Sequence, residues 1–193
     1  MTNRAIFLDR DGTLNDEVGF ITDPDQFHLF DFAAEAVRLI NERGWRAIVV
    51  TNQSGIARGL YDEALLARIH DQMMSSLETS GARIDAIYFC PHHPEAGEPP
   101  YRAICDCRKP SLGMIERAAR EFDLRLRDCF VIGDRYSDVA LAHAANARGV
   151  LLLSGHGQIE YENDRDDWPR QPDHIAKDLL DAVRWILGTV PRA

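Results

Sequence analysis

Residues 4–14, with the sequence RAIFLDRDGTL, decide the fold class of this chain. Residues 5–8 are a short apolar run typical of a buried strand, and Asp9 and Asp11 follow where that run passes into a Gly-Thr loop. Two carboxylates at the end of a buried strand are unfavourable unless a cation or strong hydrogen bonds compensate them. Ligands of an open parallel sheet bind at the carboxyl ends of its strands. The stretch therefore predicts a metal-assisted site at a sheet edge.

Apolar runs alternate with helical patterns along the rest of the chain. The runs predict strands at residues 5–8, 45–51, 84–89, 129–132 and 150–153. The helical patterns predict helices at residues 32–43, 62–80, 111–122, 136–147 and 177–187, with Asp31, Asp62 and Ser111 as N-caps. Residues 155–172 are polar and predict a mobile surface loop. This order predicts an α/β fold with a doubly wound parallel sheet.

The size and composition of the chain suit one soluble domain spanning residues 1–193, with no insertion large enough for a cap domain. A net charge of −9 disfavours nucleic-acid binding, which depends on Lys and Arg. No apolar run reaches the roughly 20 residues of a membrane span. The first residues lack the pattern of a secretory signal, so a cytoplasmic location is expected.

Three further polar clusters follow predicted strands or their loops. Thr51 and Asn52 end the second strand, Lys109 closes the loop after the third, and Asp134 follows the fourth. A carboxylate can attack phosphorus, while a second one can donate and then accept a proton. Hydroxyl, amide and ammonium groups can bind phosphate oxygens, and Mg²⁺ prefers oxygen ligands. The set predicts phosphoryl chemistry with Asp9, Asp134 and the Asp11 carbonyl as candidate Mg²⁺ ligands.

A loop of about residues 90–110 is rich in cysteine and histidine. Cys90, Cys105 and Cys107 with His92 make a closed set of four ligands suited to structural Zn²⁺. His93 is an alternative to His92, and a redox pair of cysteines is an alternative to the metal site. Cys129 lies in an apolar run and is expected in the core.

These motifs, taken in order, resemble those of the haloacid dehalogenase superfamily of phosphatases. The resemblance implies that Asp9 is the nucleophile, Asp11 the general acid/base and Asp134 an Mg²⁺ ligand. It implies that Thr51 and Lys109 stabilise the phosphoryl group, and that Asp138 is a supporting acidic residue. It also implies a Rossmann-like fold without a large cap and favours His92 over His93 as the Zn²⁺ ligand.

Residues 51–59, 90–94 and 105–110 resemble the zinc-loop members of that superfamily that act on a heptose bisphosphate. The resemblance implies removal of the C7 phosphate of this small phosphorylated sugar, in bacterial nucleotide-heptose (lipopolysaccharide core) synthesis. The relatives that act on histidinol phosphate are the alternative. The expected substrate-binding residues are Glu17, Val18, Gly19, Phe20, Asn52, Gln53, Ser54, Arg108 and Arg135.

A hypothesis of another class is a zinc-stabilised module that binds a phosphorylated partner without hydrolysing it. Such a module has no need for both Asp9 and Asp11. A nucleic-acid 3′-phosphatase is a further alternative, against which the net charge counts. Because a phosphatase without a cap needs no partner to close its site, a monomer is expected.

Overall fold

Six parallel strands form one sheet in the computed structural model, which describes residues 3–190. They are β1 (Ala5–Leu8), β2 (Arg46–Asn52), β3 (Ala86–Cys90), β4 (Phe130–Gly133), β5 (Arg148–Leu152) and β6 (His174–Ala176). Their order across the sheet is β3-β2-β1-β4-β5-β6, and each neighbouring pair is parallel. The chain winds outward from β1 in one direction and from β4 in the other. The prediction of a doubly wound parallel sheet is confirmed.

Helices cover both faces of the sheet. They are α1 (Ala33–Glu42), α2 (Glu63–Thr79), α3 (Gly113–Phe122), α4 (Tyr136–Ala144), α5 (Gly157–Asp164) and α6 (Leu179–Thr189). One core cluster joins the sheet to α1, α2 and α6, and a second joins it to α3 and α4. None of these helices is long and apolar enough to cross a lipid bilayer.

The central strands are buried on both faces, which explains why they are apolar without interruption. In β1, Ile6 and Leu8 pack into one core cluster, while Ala5 and Phe7 pack into the other. The edge strand β3 is more exposed, since only Cys90 of its five residues is fully buried.

The predicted strands and helices lie within a few residues of the observed ones, but two of the three predicted N-caps are wrong. Asp62 does cap α2 by accepting a hydrogen bond from the Leu65 amide at 2.8 Å. Asp31 and Ser111 cap nothing, because α1 begins at Ala33 and α3 at Gly113, which puts Phe32 and Leu112 at the N-cap positions. In α3, the Gly113 amide instead donates to the backbone carbonyl of Asp106 at 2.7 Å. A carbonyl of the cysteine-rich loop thus replaces the side-chain cap.

The prediction that residues 155–172 form a surface loop is also wrong. The segment contains α5, and the chain then continues into the unpredicted edge strand β6. Trp168 stacks on Tyr136 with ring centroids 4.6 Å apart and lies 6.2 Å from the ring of Tyr161. The segment packs through these long-range aromatic contacts and not through a continuous apolar face. Its sequence therefore shows no helical apolar pattern.

Candidate active site

The carboxyl ends of β1, β2 and β4 border one cleft of about 520 Å³. Asp9 follows β1, Thr51 and Asn52 end β2, and Asp134 follows β4. β1 and β4 lie side by side where the strand order reverses, which is the position at which open α/β sheets bind ligands. The cleft is lined by Asp9, Asp11, Glu17, Gly19, Phe20, Thr51, Asn52, Gln53, Ser54, Tyr61, Arg108, Lys109, Asp134, Arg135, Ser137, His156 and Glu160.

Three buried carboxylates and one ammonium form a charged cluster at the cleft. Oxygens of Asp9, Asp134 and Asp138 lie within 4.8 Å of one another. Nζ of Lys109 lies 2.9 Å from Oδ1 of Asp9 and 2.6 Å from Oδ1 of Asp138. The structure thus places Asp138, which was expected only as a supporting residue, directly in the charged cluster.

The charges of this cluster do not balance. Burial, and then the neighbouring Asp9 carboxylate, raise the pKa of Asp134 to about 8. Burial also raises the pKa of Asp138, although Lys109 opposes that effect. Burial alone would lower the pKa of Lys109, but Asp138 and Asp9 outweigh it and keep the pKa above its ordinary value. An excess of buried carboxylate over ammonium fits a hard divalent cation with oxygen ligands.

Asp134 is held by two close backbone segments. Gly12 has a φ of +72°, and a Cβ there would overlap the Asp134 carboxylate. On the other side, the amide of His156 donates to Oδ2 of Asp134 at 2.8 Å. The Ser154 hydroxyl donates to the Gly12 carbonyl at 2.6 Å and ties the two segments together. The end of β5 therefore supports the site, a role that the sequence reasoning missed.

Asp11 has surroundings quite different from those of Asp9. Its carboxylate accepts hydrogen bonds from Nε and Nη2 of Arg10, from Nδ2 of Asn15 and from Nε2 of Gln53. The Tyr61 hydroxyl in turn donates to Oε1 of Gln53 at 2.6 Å. Arg10, Asn15 and Tyr61 were missed by the sequence reasoning. For Arg10, the sequence does contain a signal, since it lies between two aspartates at the end of a buried strand.

The residues expected to bind substrate have four different placements. Arg108, Ser54, Glu17, Gly19, Phe20 and Arg135 line the cleft, whereas Val18 is exposed and does not line it. Gln53 also lines it, but is buried and bonded to Asp11 and Thr51. Asn52 both accepts from the Lys109 amide at 3.0 Å and donates to its carbonyl at 3.3 Å. It therefore fixes the backbone that carries Lys109.

Two opposite charges at the mouth of the cleft are already paired. Arg135 lies 3.0 Å from Glu160, whose second oxygen accepts from the Tyr136 amide at the start of α4. Glu17 accepts from the Gly19 amide at 2.6 Å and lies 3.6 Å from His156. Burial raises the pKa of Glu17. Arg108 is not in such a side-chain ion pair among the described residues and is the cation best placed for a second anionic group.

The second cluster lies in the loop between β3 and α3, where one nitrogen and three sulfurs meet. Sγ of Cys107 lies 3.1 Å from Cys90 and 3.4 Å from Cys105, and Nδ1 of His92 lies 3.4 Å from Cys107. Sulfur ligands of a tetrahedral Zn²⁺ are about 3.8 Å apart, whereas a disulfide brings them to about 2.0 Å. The observed separations lie between these two values and no disulfide joins the four cysteines, so the cluster is one that could hold a metal ion.

His93 lies outside this cluster. Its Nε2 is 3.0 Å from Nη2 of Arg58, and its Nδ1 accepts a hydrogen bond from the Ala96 amide at 2.9 Å. Cys129 is buried among core residues, where its sulfur accepts from the Ala5 amide. The four residues that meet are Cys90, His92, Cys105 and Cys107.

Comparison with known proteins connects this geometry to one group of enzymes. A family model described as HAD-hydrolase-like matches residues 106–182. The chain is 40% identical over 190 residues to a D-glycero-D-manno-heptose-1,7-bisphosphate 7-phosphatase of Thermosynechococcus vestitus, an alignment that covers 96% of both chains. It is 43% identical over 149 residues to the D-glycero-beta-D-manno-heptose-1,7-bisphosphate 7-phosphatase of Photorhabdus laumondii, covering 77% of this chain and 79% of that protein.

A solved structure is similar over the same length. D,D-heptose 1,7-bisphosphate phosphatase from B. bronchiseptica, complexed with magnesium and phosphate, superimposes with a TM-score of 0.85 at 32% identity. The match covers 98% of this chain and 100% of that one. Sequence and fold therefore agree over the part of the chain that carries both clusters.

Proposed function

The chain belongs to the D-glycero-D-manno-heptose-1,7-bisphosphate 7-phosphatase family of HAD-like hydrolases, and from this membership we propose that it removes the C7 phosphate of that sugar bisphosphate. The observation that carries the proposal is the meeting of Asp9, Asp11, Thr51, Lys109 and Asp134 around one cleft. Each of these residues provides a chemical group that phosphomonoester hydrolysis requires.

Asp9 is the proposed nucleophile. Its Oδ1 accepts from the Arg10 amide at 2.7 Å and from Lys109 at 2.9 Å, which orients Oδ2 for attack. Oδ2 forms a bond to phosphorus, the bond from phosphorus to the C7 oxygen breaks, and that oxygen takes a proton from Asp11. In the second step a water oxygen attacks phosphorus and gives a proton to Asp11. The bond from Asp9 to phosphorus then breaks and releases inorganic phosphate, the C7 hydroxyl product having left after the first step.

Thr51 and Lys109 are proposed to bind the phosphoryl oxygens. Nε2 of Gln53 donates to the Thr51 hydroxyl at 2.8 Å, so the hydroxyl oxygen is an acceptor there and its own hydrogen is free to bind phosphate. Asn52 bonds both the amide and the carbonyl of Lys109 and so fixes the backbone of that residue. The Lys109 ammonium is thereby positioned to stabilise the negative charge that develops on the phosphoryl oxygens.

The carboxylates of Asp9 and Asp134, with the Asp11 backbone carbonyl, are proposed to hold Mg²⁺. The unbalanced negative charge of the cluster supports this assignment. When bound, Mg²⁺ supplies positive charge that orients the phosphate and offsets the repulsion between phosphate and Asp9.

Zn²⁺ is proposed for Cys90, His92, Cys105 and Cys107. All four positions of a tetrahedral ion would be filled, which leaves none for water or substrate. The ion would therefore be structural. It would order the loop that ends in Arg108 and Lys109, the two cations proposed for the non-reacting and the reacting phosphates.

The test compares initial rates of phosphate release from both anomers of the heptose bisphosphate and from histidinol phosphate. We expect kcat/KM to be at least about tenfold higher on a heptose bisphosphate, since one added charge-assisted contact to the second phosphate supplies such a factor. An Asp9→Asn protein, purified in parallel, is the blank for contaminating phosphatases. Higher kcat/KM on histidinol phosphate would overturn the substrate assignment.

A further inference from the structure

Arg10 is a buried cation that the proposed reaction does not use. Only 2% of its side chain is exposed, although it lies between the nucleophile and the general acid/base in sequence. Burying a guanidinium is costly unless its donors are satisfied. Its Nε lies 3.0 Å from Oδ1 of Asp11, and its Nη2 lies 2.7 Å from both oxygens. Arg10 therefore binds the Asp11 carboxylate at two points.

The far side of the guanidinium is occupied by His70 on α2. Nη1 of Arg10 lies 3.4 Å from Nε2 of His70, and since an arginine can only donate, Nε2 must be the acceptor. The histidine is then neutral with its proton on Nδ1. Burial, reinforced by Arg10, lowers the pKa of His70 to about 4, which agrees with that protonation state. The neutral His70 thus binds the guanidinium on the side away from Asp11 and adds no negative charge that would compete with Asp11 for Arg10.

The two oxygens of Asp11 are not equivalent. Oδ1 accepts from Nε and Nη2 of Arg10 and from Nδ2 of Asn15. Oδ2 accepts from Nη2 of Arg10 and from Nε2 of Gln53, the same nitrogen that donates to Thr51. Oδ2 therefore lies on the side of the phosphate-binding hydroxyl, while Oδ1 is turned into the buried contacts.

We propose that Arg10 is the positioning residue for Asp11, fixing the carboxylate so that Oδ2 exchanges the proton with the leaving oxygen and then with water. This inference rests on the proposed function of Asp11. Removing Arg10 releases Asp11 from its orientation but leaves Asp9, Lys109 and the acidic cluster in place. Proton transfer is lost, and attack on phosphorus is retained.

The experiment uses two generic substrates that differ in their need for a general acid. p-Nitrophenolate leaves without a proton, whereas the leaving group of phenyl phosphate is more basic and benefits from one. With p-nitrophenyl phosphate, Arg10→Gln should release a rapid burst of about one equivalent of p-nitrophenol and then turn over slowly. The slow phase is expected because hydrolysis of the aspartyl-phosphate lacks a correctly placed base. With phenyl phosphate, the variant should show no burst and a kcat about 10- to 100-fold below the original, with little change in KM.

Arg38→Gln is the matched control, because Arg38 pairs with Glu42 on the exposed side of α1 and does not line the cleft. This variant should hydrolyse both substrates with the kinetics of the original protein. Arg10→Lys keeps a buried cation that cannot reach both Asp11 oxygens, and it should give the same pattern with a smaller loss. If thermal unfolding shows that Arg10→Gln is not folded, the lysine variant decides the question.

Asp11→Asn separates this inference from the proposed function. If Asp11→Asn gives no burst with p-nitrophenyl phosphate, the general acid/base assignment of Asp11 fails. If Asp11→Asn gives the burst but the Arg10 variants do not, Arg10 has only a structural role and the inference is overturned. The same conclusion follows if the Arg10 variants lose activity equally on both substrates.

Discussion

Two aspartates two positions apart have separate chemistry because their side chains enter different surroundings. Asp9 faces Lys109 and two further carboxylates, whereas Asp11 faces amide and guanidinium donors. Gly12 follows Asp11 and has a positive φ. Any side chain at position 12 would also overlap the Asp134 carboxylate. The motif thus combines the proposed nucleophile, the proposed proton-transfer group and the space for a neighbouring strand end.

Asp9→Asn should abolish turnover without unfolding the protein. The amide removes the nucleophile and one of three clustered carboxylates, while Lys109 keeps Asp138 as a partner at 2.6 Å. We expect kcat to fall at least about 1,000-fold, since the covalent route is closed. Less repulsion among the remaining carboxylates should leave Tm equal to or above that of the original chain. Phosphate release and thermal unfolding measure the two effects.

Asp25→Asn is the control for this substitution, since Asp25 is exposed in the short 3₁₀ turn Pro24–Gln26. It should change neither kcat nor Tm. Activity of Asp9→Asn within tenfold of the original would exclude Asp9 as the nucleophile.

At the scale of elements, the loop between β3 and α3 has no regular structure of its own but carries two cations that line the cleft, Arg108 and Lys109. Its order depends on the contacts among Cys90, His92, Cys105 and Cys107 and on the hydrogen bond from Gly113 to Asp106. Burial raises the pKa of the Cys90 and Cys107 thiols, and a bound cation would favour their ionised forms. The loop is therefore expected to be coupled to metal binding.

Protein purified without added metal should contain about one equivalent of zinc by elemental analysis. Cys107→Ser should lower that content, because the loop then lacks one ligand. It should also reduce kcat/KM by about 10- to 100-fold, since Arg108 and Lys109 lose their support. Cys129→Ser is the matched control, as that buried cysteine lies outside the cluster, and it should retain the metal. A zinc-free original protein with full activity would contradict the structural role.

At the scale of the molecule, the strand order creates the site. β1 lies between β2 and β4, so residues 9, 51 and 134 reach one cleft although more than 120 positions separate the first from the last. Five separate segments of the chain, one at the carboxyl end of each of β1 to β5, contribute lining residues to the cleft. No second subunit is needed to supply a group for the proposed reaction.

We therefore expect a monomer of 21.8 kDa in solution. Size-exclusion chromatography with light scattering, run over a range of protein concentrations, measures this mass directly. Activity per chain should not depend on concentration. A mass of twice the chain, with activity lost on dilution, would show that the site depends on a partner subunit.

Local patterns in the sequence predicted the alternating strands and helices, the aspartate motif and the cysteine-rich loop, because burial and turn chemistry act over neighbouring residues. From these patterns the fold class follows, together with the polar residues at the strand ends that reach the cleft, whereas Tyr61, Ser137, His156 and Glu160 were not predicted to line it. The sequence also placed the four cysteine and histidine side chains in one loop. Family resemblance added the expected roles of Asp9, Asp11, Asp134 and Lys109, which remain proposals.

Only the tertiary structure decided which groups touch. Arg10 and His70 are 60 positions apart, and Gln53 and Asp11 are 42 apart, so no local period reveals their contact. The same holds for the pairing of Asp138 with Lys109 and for the stacking of Trp168 on Tyr136, a contact of the segment wrongly predicted to be a loop. Such contacts depend on the order of strands and the packing of helices. These arise from burial of the whole core rather than from any one stretch of sequence.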